Sequence, residues 1–583
     1  MSLWSNAKLY DRALQLYTQR KRGYVKFNAA RESIIRLMRP DLGADTDPDG
    51  DGSFFGDEIY DGVGSWAIGV MARGFQGGLA SPDTDWIDHE FSDESLAEID
   101  ELAEWLQAVK RHTSNVYKSS NFYQILPNMT KDGLSIGSPL AFIEETDTVK
   151  GEITFKPQHF KNVFLFYDGN NRHEGVIIED KRWTVKKIVD EFAPTDSDQA
   201  KLPQKVKDDI KAGHYYKEHI MYRFVFKSSN PLWDGIDGFK KPNAEWLSVY
   251  FLANTDEEQK NKPLAVEKYF SKPFAVMDID KKEWESVSRT PAFSAVHDVL
   301  AQQEMGLDQA LNRKLKNNPP RAVLEDHRNI VDFNPQGITP VKKADWANLP
   351  TAIDVVGDIR LSREEMEFNA DKIKRWFRTD QFLKFTDLTS TLRQQPTATQ
   401  IIKIAAELAQ QVSPEISGYT AFLGDSDARI IDIEMRAGRG PFNPDRMAEV
   451  RALIAANATD RVVILVPVFI GSLAKAQQIK QSLDPILEGM GVIGEMSAIP
   501  GWDQLPLSID EHGVAEDALR VIGFPMKRFK SKEEYNEIVA RIQAAQAQQQ
   551  QAMMAIEAAK ASKGVSGPVD ESSVLANVAG AVA

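Results

Sequence analysis

Cysteine is absent from all 583 residues. That removes disulfides, thiolate metal sites and Cys nucleophiles, and it suits a reducing compartment. No Gly-Lys-Ser or Gly-Lys-Thr occurs anywhere, so Gly74-Phe75-Gln76-Gly77-Gly78 lacks the rest of a phosphate-binding loop and is expected to stop a helix. An ATP-driven motor is therefore not expected. The nine histidines form no HExxH pair or other metal spacing, and no Gly-x-Ser-x-Gly elbow is present. Catalysis has no positive support. The longest apolar run, Val462 to Leu473, is interrupted by Pro467 and Gly471. It falls short of the roughly 20 residues that span a bilayer, so no membrane association is expected. Met1-Ser2-Leu3-Trp4-Ser5 has no basic flank before an apolar core, so no signal peptide is expected. Positive charge is in deficit, 70 Lys and Arg against 85 Asp and Glu for a net charge of −15. That argues against a surface gripping nucleic acid throughout, though not against a local basic site.

What is present is ordinary core material, 42% hydrophobic and 27% charged, enough for several domain-sized units. Residues 6 to 38 read as a helix, followed by an acidic loop from Asp41 to Asp57. A second helix is expected from about Glu58 to Phe75, and a third from near Ser92 through Val109. From Gly151 the texture changes to apolar runs bounded by Gly and Asp-Gly, which read as a strand meander: Ile153–Phe155, Val163–Phe166 and Gly175–Ile178. Further strands are expected at His219–Phe226, Trp246–Leu252 and Ala265–Phe270. The expected fold class is α+β, mostly helical.

The stretch from Pro291 to Thr399 is the most informative. Phe293, Val296, Leu300, Leu307, Leu311 and Leu315 recur near helical spacing after Pro291, a good first-turn residue. At 1.5 Å per residue, about 25 residues span roughly 37 Å. A compact Pro-rich segment follows Asn317-Asn318, then a second helix over about Ala352 to Phe377, then a polar loop from Gln381 to Gln395. Thr397 with Gln400 fits a capping box opening the next helix. Such a helix pair exposes apolar stripes that a lone protomer covers poorly. Many copies packed side by side in a ring would cover them. Beyond Asp445 the chain reads as mostly helical. Its Ala/Gln-rich end from about Ala544 suits a tail, or a helix stable only against copies of itself.

Asp47-Pro48-Asp49-Gly50-Asp51-Gly52-Ser53 through Glu58 fits the calcium-loop template: oxygens from Asp47, Asp49, Asp51 and Ser53, Gly at the turn, and Glu58 closing. The competing reading is an acidic Gly-rich surface loop. Basic residues cluster at Lys314, Lys316 and Arg321, at Lys342 and Lys343, and at Lys372, Lys374, Arg375 and Arg378, with Lys384 and Arg393 in the polar loop. One by one they read as a solvated face or as ion-pair partners. Repeated around a ring they would form positive belts.

The order of segments resembles the portal proteins, or head-to-tail connectors, of short-tailed podovirus-type bacteriophages. Gly74 to Trp86 (GFQGGLASPDTDW) is similar to that family's Gly-Gly-Leu-x-Ser-Pro…Trp segment. Ser120-Asn121-Phe122 and Gly133 to Glu144 (GLSIGSPLAFIE) resemble its Ser-Asn-Phe and Gly-rich approach to a strand. PTATQ at Pro396–Gln400 resembles its Thr-Ala-Thr-Glu helix start, with Gln for Glu. Pro467–Gln478 and Gly523–Tyr535 resemble its C-terminal region. One departure is Val287-Ser-Arg-Thr-Pro291, where the family usually carries a Tyr-Gly-Arg-like element.

The resemblance implies a ring of about twelve copies at one capsid vertex. It implies a wing over 1–290, stem helices over 291–317 and 351–379, a clip over 318–350 and a tunnel loop over 380–396. A long wing helix over 397–440, a crown over 441–543 and a tail or helical barrel over 544–583 complete it. Lys384, Arg393, Lys372, Arg375 and Arg378 would face double-stranded DNA in the channel. Arg321, Lys342 and Lys343 would serve docking of the large terminase and later a tail adaptor. Capsid and scaffolding proteins are further implied partners, in the virion and, during assembly, the host cytoplasm. No cofactor is required unless the Asp47–Glu58 loop takes Ca²⁺. The alternative is a calcium-binding structural adaptor or scaffold centred on that loop.

Overall fold

The computed structural model describes residues 8–42, 59–317 with short gaps, 321–322, 351–352, 359–383 and 408–474 with short gaps, and isolated positions between 489 and 554. The chain divides into two compact units, residues 1–477 and 478–583. The second is described only at isolated helical positions.

The first unit is built in layers. Helix α1 (Leu9–Met38) lies on an antiparallel sheet ordered β4 (Val163–Tyr167), β5 (His173–Thr184), β6 (Glu218–Lys227), β7 (Trp246–Leu252) and β8 (Ala265–Tyr269). Phe164, Ile177 and Phe224 turn toward α1, while their neighbours Val163, Val176 and Val225 turn the other way. A strand sends successive side chains to opposite faces, so one buried on both sides reads as a continuous apolar run. Val163–Phe166 and Trp246–Leu252 are such runs for this reason.

Under this sheet lies a second, ordered β3 (Glu152–Gln158), β2 (Leu140–Asp147) and β9 (Phe274–Val276). Leu140, Phe142, Phe274 and Val276 fill the space between the sheets. Ala141, Ile143 and Ala275 point away, into the main core with α2 (Val63–Leu79), α4 (Phe122–Ser135) and α9 (Ser413–Ala437). To one side, α3 (Asp100–Ser119) and α10 (Pro444–Asn457) bury Trp105 and Val450 beside Phe442. There β1 (Ile87–Phe91) pairs antiparallel with β12 (Leu465–Phe469). The run around Pro467 is thus a strand in a region read as mostly helical. No helix among the described residues is long and apolar enough to cross a membrane.

Two helix boundaries differ from expectation. The second helix begins at Val63 and runs through Gly77 and Gly78 to Leu79. Gly78 packs against Leu473, where a Cβ would come within 2.9 Å of the leucine side chain. Gly78 therefore serves close packing, while Gly77 has nothing within 4 Å of where its Cβ would sit. The third helix begins at Asp100, later than Ser92. Helix α4 was not anticipated.

The layers meet at Asp278. Its backbone carbonyl lies 2.3 Å from where a Cβ on Gly418 would sit, so α9 crosses here only because residue 418 is glycine. Its carboxylate accepts from Ser138 Oγ at 2.6 Å and Tyr167 Oη at 2.9 Å, and His173 Nε2 lies 3.1 Å away. Ser138 has φ 51°, a left-handed conformation that costs an L-residue about 1–2 kcal/mol; its bond to Asp278 helps offset that. His173 Nδ1 in turn lies 3.0 Å from Lys272 Nζ, which pairs with Asp425 of α9 at 2.5 Å. Arg31 of α1 donates to the carbonyls of Ile136 and Gly137, both at 2.8 Å, and so satisfies the C-terminal end of α4.

Burial alone would raise the Asp278 pKa, but hydrogen bonds from His173, Ser138 and Tyr167 outweigh it and lower it from 3.8 to about 2. A depressed carboxylate stabilises the fold above its unfolded pKa, and that contribution disappears as pH falls through the folded value. From this residue about 2 kcal/mol is expected to be lost between about pH 4 and about pH 2. Urea denaturation across that range should show it, with a shallower acid dependence in Asp278→Asn.

Candidate functional site

Helix α7 (Pro291–Asn317) and helix α8 (Ile359–Trp376) form an antiparallel hairpin. Asp298 meets Trp376, Gln302 meets Asn369, and β10 (Arg321–Ala322) pairs with β11 (Thr351–Ala352). The first helix matches the expected 291–317. The second is helical from Ile359 to Trp376 within the expected 351–379. Because Arg321 pairs with Ala352 and Ala322 with Thr351, the segment between leaves and rejoins the hairpin at one neck.

α7 carries two different faces. Ala292, Ala295 and Val299 are fully buried in the main core, and Gln302, Gln303 and Gly306 extend that face. The larger residues of the anticipated stripe divide: Phe293 and Val296 pack against the same core, while others face outward. Phe293 and Val296 are partly buried, whereas Leu300 and Leu311 are 43% and 45% exposed. On α8, Phe368 and Trp376 are 62% and 45% exposed. Small side chains let the hairpin approach the body closely, and Leu300, Leu311, Phe368 and Trp376 remain outside. Burial of apolar surface is worth about 25 cal/mol per Å², so these four residues favour a covering surface.

A buried polar relay fixes the hairpin's angle. Asn369 Nδ2 donates to the carbonyl of Asp298 at 2.8 Å and to Gln302 Oε1 at 2.9 Å. Gln302 Nε2 donates to Asp61 Oδ2 at 3.0 Å. Asp61 Oδ1 accepts from the Val63 backbone N–H at 2.7 Å, at the start of α2. Gln303 Oε1 accepts from the backbone N–H groups of Tyr60 and Asp61, and its Nε2 returns to the Asp61 carbonyl at 2.7 Å. Three helices are thus joined through amides whose bonds to one another and to Asp61 lie within normal range. Sequence reasoning missed this relay. The available signal was amides occupying core-facing positions of a helix that is otherwise apolar there.

The hairpin's exit is equally defined. Phe377, Thr379 and Phe382 are buried, and Phe382 packs against Phe75 with ring centroids 5.8 Å apart and planes tilted by 45°. Between them Arg378 has φ 48° and its guanidinium binds Glu415 at the start of α9. The chain is helical at 379–383, where a polar loop was expected from Gln381, and residues 384–396 lie outside the described residues.

Residues 8–529 match the family described as bacteriophage head to tail connecting protein. The chain belongs to that family. Over 365 residues this connector is 23% identical to the probable portal protein of Bordetella phage BPP-1, a stretch covering 61% of each chain. Over 138 residues it is 27% identical to the portal protein of Salmonella phage epsilon15, covering 23% of this chain and 24% of the other. The matched stretches span less than two thirds of either relative.

The connector's anticipated basic residues fall into four groups. Lys372 and Arg375 are exposed on α8, with Lys372 Nζ 4.8 Å from the Phe368 ring centroid. Arg378 is half-buried on Glu415. Arg321 stands in the neck strand β10. Lys342, Lys343, Lys384 and Arg393 lie outside the described residues, as do the calcium-loop positions Asp47, Asp49, Asp51, Ser53 and Glu58. No group of three or more metal-ligating side chains occurs among the described residues.

Replacing Asn369 by Leu would keep the volume but leave the Gln302 and Asp298 oxygens without their donor. A loss of about 1–3 kcal/mol is expected. Lys372→Ala on the exposed face should stay within about 0.5 kcal/mol of the parent. Chemical denaturation midpoints of the two variants check this.

Proposed function

We propose that this connector is a portal protein. About twelve copies close into a ring at one capsid vertex and leave a channel for double-stranded DNA during packaging and ejection. The observation that carries the reading is the hairpin: its small-residue face is buried, while Leu300, Leu311, Phe368 and Trp376 stay exposed along it. Neighbouring hairpins laid side by side would cover those residues. Family membership supports the same reading. The segment between β10 and β11 would be the clip, the docking point first for the large terminase and then for a tail adaptor. The opposite regions would meet capsid and scaffolding proteins. The protein would act in the virion, after assembly in the host cytoplasm, without chemistry of its own.

The charge balance suits a conduit. A genome of phosphates must slide past, and uniform attraction would hold it fast. A chain of net charge −15 with a few exposed cations on α8 gives a mostly repulsive wall with sparse contacts. Lys372 and Arg375 would supply part of these contacts, and Lys384 and Arg393 the rest.

Electron microscopy of the purified chain should show closed rings. Changing Leu300, Leu311 and Phe368 together to Asp should give monomers with an unchanged circular dichroism spectrum. Monomers alone from the unaltered chain across the micromolar range would overturn the ring. Changing Lys384 and Arg393 together to Ala should reduce DNA retention in packaged particles by at least about tenfold. Full retention would remove those two residues from the channel.

A further inference from the structure

A cleft of about 740 Å³ lies among α1, the end of β3 and the end of β5. Its position follows from a mismatch in strand lengths. β4 accompanies β5 only from His173 to Ile178, whereas β6 follows it to Thr184. Among the described residues, positions 179, 180, 183 and 184 of β5 pair with β6 alone and 181–182 pair with neither strand, the Arg182 backbone N–H donating to Asp180 Oδ1 at 3.0 Å. β3 is the edge strand of its own sheet, and its Lys156 and Pro157 line the opposite wall. Unpaired strand backbone of this kind is a template for another strand.

The charge in the cleft has a sign. Lys21 pairs with Glu179 at 3.1 Å, Lys161 with Glu32 at 3.0 Å and Lys156 with Glu144 at 2.8 Å, so these cations are balanced locally. Lys181, Arg182 and Lys187 have no carboxylate within ion-pair distance among the described residues. The first two are exposed where the β5–β6 register slips between Asp180 and Trp183. Lys187, on α5 (Val185–Phe192), lies 4.0 Å above the Trp183 ring. Val25 of α1, 63% exposed, adds an apolar ledge.

We propose that this cleft binds an extended acidic segment of another protein, which adds to the free end of β5 as a strand. An extended peptide alternates its side chains at about 3.3 Å per residue. It can set carboxylates against Lys181, Arg182 and Lys187 and an apolar residue against Val25, while its backbone bonds to the edge. A nucleic-acid backbone fits less well, because Glu32, Glu179 and Asp180 interrupt the positive surface and would repel evenly spaced phosphates. The proposal stands apart from the channel and rests on none of its residues.

The test uses the full-length protein and three probes read by fluorescence anisotropy: a peptide of alternating Glu and Val, a peptide of equal charge with Pro replacing alternate Val residues, and a DNA duplex. The Glu-Val peptide is expected to bind with a micromolar Kd. The Pro peptide, which cannot complete a strand ladder, is expected to bind at least about tenfold more weakly. The double variant Lys181→Glu/Arg182→Glu should lose at least about tenfold in affinity for the Glu-Val peptide. Lys187→Ala, on an exposed helix face, should weaken it by a smaller factor and guards against misfolding of the double variant. Equal binding of both peptides would reduce the cleft to a patch of charge and overturn the strand. Binding of DNA without peptide would reassign it to nucleic acid. No binding of the Glu-Val peptide up to millimolar concentration would mean that the lysines and the bulge only block the edge.

Discussion

Asn369, Gln302 and Asp61 hold the hairpin to the body. A buried amide or carboxylate without a partner loses more than an apolar contact gains, so the three groups accept very few mutual arrangements. Their bonds tie α8 to α7 and α7 to the first turn of α2. Hydrophobic packing by Ala292, Ala295 and Val299 supplies adhesion but little direction, because small side chains slide easily over one another. The polar relay supplies direction. Everything the hairpin presents beyond the body inherits its aim from this point.

The body was legible in the sequence wherever a strand is buried on both faces or a helix is bounded by Pro. The runs at Val163–Phe166 and Trp246–Leu252 became β4 and β7, and Pro291 opened α7 where expected. Legibility failed where tertiary contacts decide. Gly77 and Gly78 read as a helix stop, yet they continue α2, and Gly78 lets Leu473 pack against the helix. The apolar run at Val462–Leu473 gave no sign that part of it would pair with Ile87–Phe91, since that partner lies hundreds of residues away. In α7 the large aliphatic residues dominated the periodicity, while the face that enters the core is made of alanines, a valine and two amides. The relay was invisible for the same reason: amides score as polar surface until their partners are known.

Charge is handled by local pairing inside the body. Arg223 is met by Glu144 at 2.6 Å and Glu267 at 3.0 Å, and Arg39 by Asp132 and Asp41, both at 2.9 Å. Burial works against the Glu144 carboxylate, and the charges of Arg223 and Lys156 still draw its pKa down to about 2. Arg378 follows the same pattern with Glu415. Cations engaged in this way hold layers together and are not free to attract a polyanion. Lys372 and Arg375 differ because they sit on the outer surface of α8.

The short pairing of Arg321–Ala322 with Thr351–Ala352 acts as a collar. Strain or rearrangement arising on the far side of it meets a hydrogen-bonded crossing before it reaches the helices. Insertions and substitutions beyond the collar can therefore accumulate without shifting the register of α7 on α8. In that sense the crossing uncouples what it closes off from the shaft beneath.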